Sequence, residues 1–225
     1  MPSYEQQVDI LETELDQIVD AFAGLSDEEW QAVTELIPLD EAKAHWTLFE
    51  LAGHFDISIG LTRMLIADQQ PDGQPGRDRV SFFIFPRSEV APVVYDYAYT
   101  MVAGKTPADM AAVLGETFSK TIEEARATPP ETVGSGYYAL MRLDEFVASR
   151  IVEAVVHGVD LTDALGRDRM ATDEAVAVTA AILDELLARR TVADRPADLV
   201  DDDWAWVRAA SGRSEHPDPR LPLIG

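Results

Sequence analysis

Apolar residues recur at spacings of three and four along almost the whole chain, and convincing alternation at a spacing of two is missing. A 3.6-residue period places such positions on one face of a helix, so this pattern alone restricts the chain to a helical fold. Tyr4 to Phe22 shows it first, with Val8, Leu11, Leu15, Ile18, Val19 and Phe22 on one side. Ser26 is placed to cap a short turn through Trp30. Thr47 and Glu50 have the T-x-x-E spacing of a capping box and open a second long helix running to about Asp68.

The Pro/Gly-rich stretch QQPDGQPGRDR interrupts the period, and VSFFIF (Val80 to Phe85) is the best strand candidate. A helix is expected from Ser88 to about Ala103. Thr106-Pro107 opens another, to about Ala127, because proline suits a first helical position. TPPETVGSG breaks that one. The next covers Leu143 to Leu165 and stops at Gly166, and Thr172 caps one running to about Arg190. DDDWAWVRAAS makes a last short helix before an irregular tail. Long helices with one long crossover, residues 69–105, between the second and third of them describe an all-α four-helix bundle with extra C-terminal helices. The expected division is a bundle over residues 1–170 and a C-terminal helical extension over 171–225.

The segment RIVEAVVHGVDLTDALG (Arg150 to Gly166) carries the polar residues that this packing does not explain. On a helical wheel Leu143, Phe146, Val147, Arg150, Ala154, His157, Leu161 and Ala164 share one face, with Glu153 at its border. Glu153 and His157 therefore look toward the core at i, i+4, a spacing that lets both reach one metal ion. In the second long helix Leu51, His54, Ser58, Leu61 and Leu65 form a packing seam, and His54 takes a position in it that is normally apolar. Two histidines and one carboxylate can thus converge from two helices, the donor set of a catalytic zinc site with one open position, which also suits nickel or iron. Taken singly, Glu153 with His157 need be no more than a helix-stabilising pair worth about 0.2–0.5 kcal/mol, and His54 a hydrogen-bonded core histidine. Together they favour a metal, because an unpaired buried carboxylate is costly.

Val152, Val155, Val156 and Val159 make the back of this helix apolar as well, so it must be covered by the C-terminal helices or by a second subunit, the former being expected. Arg150 is placed to orient a ligand carboxylate or to pair with Glu153. Asp160 either faces solvent or holds the free nitrogen of His157. Arg77, Arg79 and Arg87 suit an anionic ligand or surface ion pairs, and Phe82, Phe83, Phe85, Tyr95, Tyr97 and Tyr99 suit a pocket mouth or the core. His216 is expected in an exposed tail.

There are no cysteines, so any sulfur chemistry must arrive with a ligand. The formal charge of -23, from 41 acidic against 18 basic residues, argues against nucleic acid or an anionic membrane as partner. The N-terminus lacks an apolar signal core, and a cytoplasmic monomer or homodimer is expected.

WTLFELAGH (Trp46 to His54), RIVEAVVHGVDLTDALG and the late ASGR (Ala210 to Arg213) resemble the DinB-like metal-binding bundles of the mycothiol-dependent maleylpyruvate isomerase family, specifically its N-terminal domain. The resemblance covers nearly the whole chain. It implies His54, Glu153 and His157 as ligands of a divalent metal, and a low-molecular-weight thiol, mycothiol, as cofactor, although bacillithiol users share the fold. With the chain ending at Gly225, the sterol-carrier-like C-terminal domain of the full isomerases is not expected. The implied chemistry is S-transfer to, or isomerisation of, a small electrophile. A metallohydrolase and a noncatalytic metal- or ligand-binding bundle are the alternatives.

Overall fold

The computed structural model describes residues 1–36, 38, 43–136 and 139–224. Seven α-helices form among them: α1 (Tyr4–Ala23), α2 (Leu48–Ala67), α3 (Arg87–Val102), α4 (Pro107–Ala127), α5 (Leu143–Leu165), α6 (Asp173–Thr191) and α7 (Asp203–Ala210). The ends are set by local chemistry. Capping boxes start α1 at Ser3, α2 at Thr47 and α4 at Thr106. Gly166, at φ 60°, ends α5 in the left-handed region that a Cβ disfavours.

The bundle is DinB-like in arrangement: α2 packs on α4 and α5, and α1 packs on α4 and α5. The long crossover lies between α2 and α4 and contains α3, which lies against α2. Their close approach depends on Gly53, where a Cβ would come within 2.6 Å of the Ala98 carbonyl oxygen. That contact brings α3 against the residue that precedes His54 on α2. On α1, Val8, Leu11, Leu15, Ile18 and Phe22 are buried as the stripe predicts, each worth about 1.5–3 kcal/mol relative to exposure.

The valine face of α5 is covered within the single chain: Val152, Val155, Val156 and Val159 are all buried, and α6 and α7 pack on α5. Glu14 ties α6 to the bundle. Its Oε1 accepts from both the amide (2.9 Å) and the hydroxyl (2.6 Å) of Thr172, the residue that caps α6.

Two local expectations change. VSFFIF is not a strand but a 3-10 turn at Ser81–Phe83. Asp78 accepts hydrogen bonds from the Val80 and Ser81 amides and curls the backbone, and Phe82 and Phe83 enter the core. Conversely, a small antiparallel hairpin, β1 (Val133–Ser135) with β2 (Leu140–Arg142), occupies the α4–α5 connection, where the sequence predicts an irregular break. Three-residue strands are too short to display a period of two. Gly134 is required there, because a Cβ would lie 2.0 Å from the Leu65 carbonyl oxygen. Among the described residues no helix is long and apolar enough to cross a membrane.

Candidate metal centre

His54, from the seam of α2, and Glu153 and His157, one turn apart on α5, meet where these two helices pack. Their donor atoms all lie within 4.8 Å of one another. His54 Nε2 is 3.0 Å from His157 Nε2 and 3.4 Å from Glu153 Oε2, and His157 Nε2 is 3.5 Å from the same oxygen. Donors bound tetrahedrally to one zinc ion at about 2.0–2.1 Å would be about 3.3 Å apart. The three separations bracket that value. The side chains keep 9%, 15% and 15% of their surface, so the cluster is recessed without being sealed.

The hydrogen-bond pattern favours the same interpretation. His157 Nδ1 lies 2.7 Å from Asp160 Oδ2, an acceptor, which puts a proton on Nδ1 and, in the neutral imidazole, leaves a lone pair on Nε2. His54 Nδ1 is buried and has no partner among the described residues. With His157 neutral, a proton on His54 Nε2 leaves the buried Nδ1 lone pair unsatisfied, and a proton on His54 Nδ1 makes two imidazole lone pairs and a carboxylate converge. A cation between them relieves that repulsion.

Electrostatics separate the two histidines. Burial lowers the His54 pKa, and the neighbouring His157 charge lowers it further, so His54 is neutral. Burial also acts against a charged His157, but hydrogen bonds to Asp160 and Glu153 outweigh it and raise its pKa. Glu153 is pushed up by burial, yet hydrogen bonds from His157 and His54 and the Arg150 charge hold it well below the usual carboxylate range. It is an anion, as a metal ligand must be.

Arg150 is 1% exposed, so its guanidinium sits inside the protein. It donates to the Ser58 carbonyl at 2.8 Å and to Ser149 Oγ, lies between the Phe82 and Phe146 rings at 4.6 and 4.5 Å, and stands 3.9 Å from Glu153 Oε1. Asp160 is 4% exposed, not solvent-facing, and is gripped by Arg213 at two points: Nε to Oδ1 at 2.9 Å and Nη2 to Oδ2 at 2.7 Å. Burial raises its pKa, but the Arg213 charge and the hydrogen bonds from His157 and Arg213 take it below the ordinary range.

The aromatic residues of the crossover divide. Phe82 and Phe83 belong to the core, whereas Tyr95 stacks on Trp46 at 6.0 Å and meets Tyr99 at 5.0 Å. Trp46 in turn packs on His54 at 5.3 Å, so this aromatic row leads from the surface to the cluster. Arg79 is engaged by Glu145 and Glu185, and Arg77 reaches the Ser81 carbonyl. Arg87 is exposed. His216 is half-buried, pairs with Asp198 at 3.2 Å and is not part of the cluster. Sequence reasoning missed the Trp46–His54 contact and the partner of Arg213, although both residues stand in the motifs WTLFELAGH and ASGR.

No curated protein and no solved structure matches the chain. Residues 11–162 match the family described as "Mycothiol maleylpyruvate isomerase N-terminal domain", a span that contains His54, Glu153, His157 and Asp160. The chain therefore belongs to the mycothiol maleylpyruvate isomerase N-terminal domain family.

Proposed function

We propose that this protein is a metal-dependent enzyme that activates a low-molecular-weight thiol, mycothiol, for attack on a small electrophile. The observation that carries the proposal is the near-tetrahedral spacing of His54 Nε2, His157 Nε2 and Glu153 Oε2, three donors that leave a fourth position for a ligand. They would hold a divalent cation; the near-tetrahedral spacing suits zinc, and two imidazoles with one carboxylate also serve iron or nickel. When bound, such a cation keeps a thiol ionised near neutral pH. The chain contributes no sulfur nucleophile of its own, which agrees with one delivered by the cofactor.

The protein's part is to position and to exclude. Asp160 fixes the tautomer of His157, and Arg150 supplies positive charge behind Glu153. Trp46, Tyr95 and Tyr99 offer the thiol or electrophile an apolar flank on the α3 side. The cofactor sulfur would add to a double bond of the electrophile and leave again after rotation, giving isomerisation, or displace a leaving group, giving S-transfer. Residues 1–170 form the working bundle in this reading, residues 171–225 its cover, and the setting is the cytoplasm.

The test is metal analysis of the purified protein followed by a screen for thiol consumption with a panel of electrophiles. Metal-dependent thiol loss supports the proposal. Stoichiometric metal with no thiol consumed favours a noncatalytic bundle, and ester or amide hydrolysis that needs no thiol favours a metallohydrolase.

A further inference from the structure

We infer that Arg213 is a positioning residue for the metal ligand His157, and that the segment after α7 is thereby a working part of the metal centre. The inference rests on the metal reading above and extends it to a residue beyond the 11–162 span of the family match. The connection is continuous: Arg213 grips both oxygens of Asp160, and Asp160 Oδ2 accepts from His157 Nδ1 at 2.7 Å. The Arg213 side chain is 9% exposed and that of Asp160 4%, so the pair is shielded from the water that weakens surface ion pairs.

Asp160 sits three residues after His157 on the same helix, and its carboxylate needs a second hold to stay aimed at one ring nitrogen. Two parallel bonds from a planar guanidinium fix both the position and the plane of a carboxylate, which a single point charge does not. Arg213 is itself held in place. Its carbonyl accepts from Arg208 Nη2 at 2.8 Å, Arg208 grips Asp163 of α5 at 3.0 and 2.9 Å, and Gly212 turns the chain at φ 75°. The Leu223 amide then donates to the Ala210 carbonyl at 2.7 Å and closes the tail back onto α7. Docking of the tail and orientation of His157 are thus one arrangement, and linkage requires metal to stabilise the docked tail as much as the tail favours metal.

Asp163 provides the control: it clamps the same segment through Arg208 but does not touch His157. Zinc and cobalt affinities would be measured by chelator competition for the wild type, Arg213→Met, Arg213→Lys, Asp163→Asn, Asp160→Asn, and the double variant that combines Arg213→Met with Asp160→Asn. Arg213→Met should weaken affinity by about 10- to 100-fold and alter the visible cobalt spectrum. Lysine should recover part of the loss. Asp163→Asn should lower the melting temperature yet leave affinity within about threefold of wild type, and Arg213→Met should add little in the Asp160→Asn background. Equal losses in Arg213→Met and Asp163→Asn, or an undiminished Arg213→Met effect in the Asp160→Asn background, would overturn the inference. Should Arg213→Met fail to fold, hydrogen exchange on the wild type decides: zinc should slow the amides of Ser211, Arg213, Ser214, Leu223 and Ile224, and unchanged rates would overturn it. A wild type that binds neither metal defeats the metal reading itself, whereas tight wild-type binding matched by Arg213→Met defeats this inference alone.

Discussion

His54 and His157 bring their Nε2 atoms to 3.0 Å from helices α2 and α5, across 103 residues of sequence. Two imidazoles face each other in this way with a carboxylate alongside only at a cost, unless a proton or a cation is shared between them. The proton serves the metal-free protein, because His157 has a raised pKa and a neutral neighbour to donate to. The cation serves the loaded one.

Replacing any one of His54, Glu153 and His157 with alanine should lower metal occupancy by at least about tenfold, since each removes one of three protein donors. The helical content should persist, because the core is formed by the apolar seams around the site. Elemental analysis and circular dichroism on the same preparations check both halves.

Metal affinity should fall with acidification. His157 has a raised pKa in the metal-free protein, so it keeps its proton to a higher pH than the ordinary imidazole near 6.5. Binding must displace that proton, so affinity should rise with pH through the raised value and fall below it, with proton release on binding. Calorimetry in buffers of different ionisation enthalpy measures the release, and none at about pH 6 to 7 would contradict the assignment.

Val156→Glu should destabilise the fold rather than split an assembly. Val156 is 4% exposed within one chain, so the change buries a carboxylate without a partner, at a cost of about 3 kcal/mol or more. Denaturant unfolding should show a lower midpoint. A folded monomer of wild-type stability would contradict the cover by α6 and α7.

Glu14→Ala should cost about 1–3 kcal/mol, because the amide and hydroxyl of Thr172 lose their shared acceptor at the start of α6. Hydrogen exchange should rise first in α6. Uniform loss of protection across the chain would mean that α6 is not separately anchored.

The helix ends were legible because caps are local: Thr47 with Glu50, Thr106 before Pro107, and Gly166 after Leu165 each act within one turn. The cluster was legible because polar residues at 54, 153 and 157 interrupt apolar seams. What escaped depends on distant contacts. Glu14 reads as one more acid on a helix until Thr172 is seen against it, and Arg213 as a tail residue until Asp160 is. Phe82 and Phe83 have strand-like chemistry, but the Asp78 turn and the core around Phe146 decide their conformation.

The central claim is that the bundle ionises a bound thiol, and the rate of thiol consumption against pH, with one electrophile, with and without zinc, tests it most directly. The loaded protein should react near neutral pH with an apparent pKa well below the roughly 8.5 of a free thiol, and chelation should leave only the slow solution reaction at alkaline pH. An unchanged rate and pH profile in the metal-free protein would contradict the account.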